Sequence, residues 1–250
     1  MEKNEYYKMY QFENDYWWYQ GLHHLIHSFV DKHYKKNNQE PLTIFDAGCG
    51  TGRMMELLKD YGNTEGIDYA EEALELCKKR GVTNVKQGDL NQWQGKTEHY
   101  DIIISSDVLS NSGVNDDLAV VESFHRALKP GGLLLLNLPA FELIRREHDA
   151  AIFGKRRYRK YRFNRKLKER GFGIKRSSYR LPLLFFFLLL QKPFDKPVAS
   201  HEAQSDLKPL SKGLNSTLLL MHRIENSLIR RGIPLLLGSS LFIAAQKPPA

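Results

Sequence analysis

Cysteine is scarce in this chain of 250 residues. Cys49 and Cys77 supply neither a disulfide framework nor the paired spacing of a structural metal site, so a reducing, cytoplasmic setting without a metal is expected. Long apolar runs are missing as well. No stretch reaches the ~20 residues that span a bilayer, and the polar, aromatic N-terminus lacks the apolar core of a signal peptide. The expectation is a protein that is neither secreted nor a simple transmembrane protein. Acids are missing from one place in particular. Between Lys155 and Arg180, thirteen Lys and Arg stand against Glu169 alone, so this segment carries +12 and the remainder of the chain −4 of a net +8. Two readings stay open for it: a solvated face, or contact with an anionic lipid surface, a phosphorylated substrate or nucleic acid.

What the chain does have is organised around Leu42 to Asp68. Apolar Leu42 to Phe45 leads through Asp46 and the glycines at 48, 50 and 52 into Met54, Met55, Leu57 and Leu58, the spacing of one helix face. That is a strand, a tight turn and a helix. Gly48 and Gly50 allow positive φ and leave no Cβ in the way of a ligand, and the opening helix is expected to offer unpaired N–H groups. Asp68 ends the next strand, Asn63 to Ile67, 22 residues after Asp46, where a doubly wound sheet places an acid that accepts both hydroxyls of a ribose. A nucleoside cofactor follows. The glycine spacing is D-x-G-x-G-x-G, not the G-x-G-x-x-G of dinucleotide sites, and an acid so close to the turn repels a pyrophosphate but suits the ammonium of an amino-acid tail. A pyridine-nucleotide oxidoreductase is thereby disfavoured.

Alternation continues with a helix over Ala70 to Arg80, a strand over Val82 to Gln87, and a fourth strand over Tyr100 to Ser105. The unbroken Ile102-Ile103-Ile104 centre marks a strand covered on both faces. Asp116 and Asp117 open a helix, Lys129-Pro130-Gly131-Gly132 closes it, and Leu133 to Leu138 form the fifth strand. Helix over Arg165 to Arg170, strand six over Phe172 to Tyr179 and a last strand over Ser240 to Ala245 complete the reading.

The run Asp46-Ala47-Gly48-Cys49-Gly50-Thr51-Gly52, with Asp68 and the turn before strand five, resembles the class I S-adenosylmethionine-dependent methyltransferases, closely over residues 42 to 139. The resemblance implies a single α/β domain with a Rossmann-like sheet of order 3-2-1-4-5-7-6, strands six and seven being antiparallel. It implies S-adenosyl-L-methionine as cofactor, held by Asp46, Gly48, Cys49, Gly50 and Gly52, by Asp68 and Tyr69, by Gly88, Asp89 and Leu90, and by Ser106. In that family the acid matched by Asp89 accepts from the adenine amino group. Ser110-Asn111 stands where many members have Glu-His, so that imidazole is absent.

A narrower bacterial subgroup is similar at both flanks. It has a Trp-Trp aromatic segment near the N-terminus, matched by Tyr16 to Tyr19, and a His-Asp pair followed by Arg-Arg-Tyr after strand five, matched by His148, Asp149, Arg156, Arg157 and Tyr158. Leu22, His23 and His24 replace the subgroup's arginines. Tyr16 and Trp18 either close over the cofactor as part of a lid within residues 1–40, or enter a helix, with Leu22, Leu25, Ile26, Phe29 and Val30, that packs on the sheet. The histidines of this helix are expected at the surface. His148, oriented by Asp149, is the candidate base; the other reading is that the pair braces a loop.

Residues 181–237 form an insertion between strands six and seven. Leu181 to Leu190 are too few to cross a membrane and too apolar for an ordinary loop, so either the core or a partner covers them. Methyl transfer to a hydrophobic or lipid-like small molecule, at the cytoplasmic face of an anionic membrane, is the expectation. RNA or another anionic substrate, or a non-catalytic binding module on the same scaffold, is the alternative.

Overall fold

The structure, a computed structural model, describes residues 2–146, 149, 153–192 and 207–249. Its centre is the isoleucine run. In strand β4 (Tyr100–Ser106) Ile103 turns to one face with Phe45, Phe124, Leu134 and Leu136, while Ile102 and Ile104 turn to the other with Ile44, Leu135 and Phe242. Successive strand side chains alternate, so a continuous apolar run needs cover on both sides. Both sides are covered.

The other strands are β1 (Leu42–Ala47), β2 (Gly62–Asp68), β3 (Val85–Gln87), β5 (Leu128–Pro139), β6 (Gly173–Arg180) and β7 (Ser240–Gln246). They form one sheet of order β3-β2-β1-β4-β5-β7-β6. The first five are parallel, and β7 runs antiparallel between β5 and β6. The expected order and the antiparallel pair are both present. Strand β3 is shorter than the sequence suggested, its pairing starting only at Val85 opposite Gly66.

Eight α-helices surround the sheet among the described residues: α1 (Lys3–Phe12), α2 (Trp17–Lys36), α3 (Arg53–Leu58), α4 (Glu71–Lys79), α5 (Asp117–Ala127), α6 (Lys160–Glu169), α7 (Pro182–Gln191) and α8 (Lys212–Arg231). Asp116 caps α5, accepting from the amides of Leu118 and Ala119 at 2.8 and 3.1 Å. The stripe Leu22, Leu25, Ile26 and Val30 of α2 packs on the Ile102/Ile104 face, as does Ile229 of α8. Helices α2 and α8 meet at Gly21, whose carbonyl accepts from Asn226 Nδ2 at 2.7 Å and where a Cβ would lie 1.8 Å from His222 Nδ1. Phe163 and Leu167 of α6 and Phe185 of α7 pack on the opposite face.

The insertion therefore covers both faces of the sheet. The apolar decamer is neither fully buried nor fully exposed: Phe185 is 5% exposed and packs on Phe141, whereas Leu183, Phe186, Phe187 and Leu190 are exposed. Among the described residues no helix is long and apolar enough to cross a membrane.

Candidate functional site

The glycine turn is pinned to the end of β2. The amides of Gly48 and Cys49 both donate to the carbonyl of Ile67 at 2.8 and 2.9 Å, and the Gly50 amide donates to Asp68 Oδ2 at 2.9 Å. Gly48 and Gly50 take φ of 83° and 54°. These three amides point back into the protein, fixing the turn, and carboxylates face the cavity beside it. The Asp46 carboxylate is buried and has no hydrogen-bond partner among the described residues; burial, then the nearby Asp68 charge, push its pKa up to about 7. Cys49 Sγ lies beside Cys77, and that neighbour together with burial raises its pKa far above the usual thiol range. It stays a thiol and is no nucleophile.

Asp68 is saturated on one oxygen. Its Oδ1 accepts from the Tyr6 hydroxyl and the Ala70 amide, both at 3.1 Å. Gly88 donates its amide to the Asp68 carbonyl at 3.0 Å, which sets Gly88, Asp89 and Leu90 along the same cavity. Asp89 Oδ1 accepts from the amide and side chain of Asn91 at 2.8 and 2.7 Å, leaving Oδ2 without a partner among the described residues. Tyr69 stands at the rim, 76% exposed, and Tyr16, Trp18 and Ser106 also line the cavity.

The cavity is large, about 1700 Å³, and runs from the glycine turn to the insertion. Its far wall is apolar, with Leu184, Phe187 and Leu188 from α7 and Leu214, Leu218 and Met221 from α8. His23, expected at the surface, is instead on its wall, where burial and the cations Arg53, Arg80 and Arg180 lower its pKa to about 3.

Between the two ends sits Asp107, a residue the sequence reading passed over. It follows β4 with φ of 60°, a conformation costly for a residue with a Cβ and found at functional sites more often than elsewhere. Asn137 Nδ2 donates to its Oδ2 at 2.8 Å, while Oδ1 is without a partner among the described residues. Burial raises its pKa to about 6, against the opposing pull of the Asn137 hydrogen bond and of Arg180 and Arg157. Asn137 is held in turn by Arg180, whose Nη1 donates to Oδ1 at 2.6 Å and whose Nη2 lies 2.6 Å from His222 Nε2. A guanidinium only donates, so His222 Nε2 accepts and Nδ1 carries the proton toward the Trp17 carbonyl, 3.4 Å away. Burial and the same arginine hold His222 neutral, its pKa lowered to about 2. The one signal for Asp107 in sequence was an acid at the carboxyl end of a central strand.

The loop after β5 is a brace. Arg157 donates Nε and Nη2 to Asp149 at 3.0 and 2.8 Å and Nη1 to the Ala140 carbonyl at 2.8 Å, and the Arg146 amide adds a bond to Asp149 Oδ2 at 2.8 Å. Arg156 donates to four carbonyls of the loop after β4, and the Tyr158 hydroxyl lies 2.9 Å from both the Leu109 carbonyl and Asp117 Oδ2, sharing its one proton between them. Asp149 is thereby committed to Arg157. His148, the expected base, lies outside the described residues. Of the basic run, Arg156, Arg157, Lys160 and Arg180 are thus partly or wholly internal, and Lys155, Arg159, Arg162, Arg165, Lys166, Lys168 and Lys175 remain exposed. Among the described residues no cluster of His, Cys, Asp and Glu could hold a metal ion.

Residues 45–136 match the family described as a methyltransferase domain. The chain is 30% identical over 105 residues to a ubiquinone biosynthesis O-methyltransferase of Haemophilus ducreyi, covering 38% of this chain and 44% of that protein. It is 31% identical over 116 residues to the tRNA(Thr) (cytosine(32)-N(3))-methyltransferase of Saccharomyces cerevisiae, covering 40% of this chain and 18% of that protein. The chain thus spans less than half the length of these two curated relatives. Among solved structures, a possible histamine N-methyltransferase of Thermotoga maritima superposes with a TM-score of 0.58 at 18% identity, over 98% of this chain and 95% of that one. That likeness is one of fold.

Proposed function

We propose, from a methyltransferase domain at residues 45–136, that this chain transfers a methyl group from S-adenosylmethionine to a hydrophobic, lipid-like acceptor. The observation that carries the reading is one continuous cavity with carboxylates at one end and an apolar wall at the other. The residues fit such a cofactor. Among the described residues the Asp46 carboxylate has no partner and would take an ammonium, Asp68 ends β2 where it would accept a ribose diol, and Asp89 Oδ2, also without a partner there, would take an exocyclic amine. When bound, the cofactor supplies an electrophilic methyl on a sulfonium.

The chain's own task is to orient the acceptor and to exclude water, which accounts for most of such a rate. Asp107 is placed to take a proton from a hydroxyl or ammonium acceptor through Oδ1, which has no partner among the described residues, with Asn137 fixing the other oxygen and Arg180 fixing Asn137. His148 remains a second candidate. The apolar wall of α7 and α8 takes the acceptor's hydrocarbon part, and the exposed cations of residues 155–175 favour an anionic bilayer on the cytoplasmic side as the place where it is met.

The same cations support a second reading, in which RNA is the acceptor, as it is for the yeast relative. Incubating the protein with methyl-labelled S-adenosylmethionine and either a total lipid extract or total RNA separates the two. Label entering the organic phase supports the first reading and label on RNA the second, while label in neither, despite cofactor binding, contradicts both.

A further inference from the structure

A carboxylate offers about four lone-pair sites, two on each oxygen. On Asp68 three are taken: Tyr6 Oη–H and Ala70 N–H fill Oδ1, and Gly50 N–H uses half of Oδ2. A vicinal ribose diol brings two donors and finds one site. The Gly50 and Ala70 bonds are made by backbone that shapes the turn and the start of α4, so neither is free to leave. The Tyr6 bond comes from another helix 62 residues away.

Resting on the reading of Asp68 as the ribose acid, we propose that Tyr6 belongs to the cofactor site, where its hydroxyl occupies the place of a ribose hydroxyl, and that α1 is a lid the incoming nucleoside must displace. The rest of α1 is set for this. The Tyr6 ring packs on Ala73 and Leu76 of α4, and Met9 Cε lies 2.7 Å from where a Cβ on Gly50 would be, directly over the turn. Glu13, just past the end of α1, accepts from Thr51 Oγ1 and Arg80 Nη2 and acts as the hinge-side anchor. Burial and the Asp68 charge push the Tyr6 hydroxyl well above the ordinary phenol range, so it remains a donor at every physiological pH. The lid is thus not the Trp-Trp segment alone. It begins one helix earlier, and it competes with the ligand it covers.

Calorimetric titration with S-adenosylhomocysteine tests this on wild type and Tyr6→Phe, a change that keeps the ring on Ala73 and Leu76. Without the competing hydroxyl the variant is expected to bind at least about tenfold more tightly, one hydrogen bond to a charged acceptor no longer having to be broken. With the 2′,3′-dideoxyribose analogue, which makes no demand on Oδ1, the two proteins should bind alike. Equal or weaker binding of S-adenosylhomocysteine by Tyr6→Phe, or the same gain with the dideoxy analogue, overturns the proposal while leaving Asp68 as the ribose acid. Binding by neither protein overturns both. Hydrogen exchange on the wild type needs no variant: amides of Tyr6 to Tyr10 should exchange faster with the ligand bound, and slower exchange contradicts displacement.

Discussion

A carboxylic acid near pKa 7 is an unusual thing to leave facing a cavity, and Asp46 makes a thermodynamic commitment by it. In the ligand-free protein it is half protonated near neutral pH. An ammonium beside it favours the charged form, so binding S-adenosylhomocysteine near pH 7 should release about half a proton, and release should fade above about pH 8, where Asp46 is already ionised. Calorimetry in buffers of different ionisation enthalpy reads this directly, and Asp46→Asn should abolish the dependence. Asp107, held up at about 6, gives the opposite kind of signal. As a base it works only when deprotonated, so turnover should rise as pH passes upward through about 6, and Asp107→Asn should cost roughly 10²-fold or more in turnover with cofactor affinity little changed. A loss of less than threefold, beside a large loss for His148→Ala, moves the role to His148. At this scale the sequence was partly legible. Asp46, Asp68 and Asp89 stand out because their strand and turn context is local; Tyr6 and Asp107 do not, because their meaning comes from partners on other elements, 62 residues from Tyr6 and 30 from Asp107.

Elements were read well where hydrophobic period and turn chemistry agree, as in β1, β4 and α5. They were missed where a segment is polar and held by tertiary contacts, as in α1. The insertion also escaped, since nothing in Leu181 to Leu190 says which face is covered. The structure separates the faces. Phe185→Ala should destabilise by about 3–5 kcal/mol, because its ring fills the core against Phe141, whereas Phe187→Asp on the exposed face should leave the melting temperature nearly unchanged and weaken acceptor binding. Equal melting temperatures for the two would contradict the assigned orientation of α7. The α2–α8 contact is similarly specific. Gly21→Ala drives a methyl into His222, so helices must part, at a cost of about 1–3 kcal/mol in chemical denaturation. An unchanged midpoint would mean that the two helices do not meet there.

For the whole molecule, charge and greasiness are less separate than the chain order implies. Several of the thirteen cations brace loops or, in Arg180, sit wholly buried. Only the exposed remainder can attract an anionic surface. Sedimentation with vesicles of graded anionic-lipid content should therefore show binding that rises with lipid charge and falls with salt, and Arg162→Glu with Lys166→Glu should reduce it. Binding indifferent to both salt and lipid charge removes the membrane from the account and leaves the apolar wall as the acceptor's pocket. Beneath each of these lies the claim that the glycine turn and the acid ending β2 form a nucleoside site. The most direct test is calorimetric titration of wild type and Asp68→Asn with S-adenosylhomocysteine. The amide keeps one acceptor for Gly50 while losing the charge, so binding to wild type and at least about tenfold weaker binding to the variant are expected, from charge-assisted hydrogen bonds worth roughly 1.5–3 kcal/mol. Equal affinity in the two folded proteins would contradict the site.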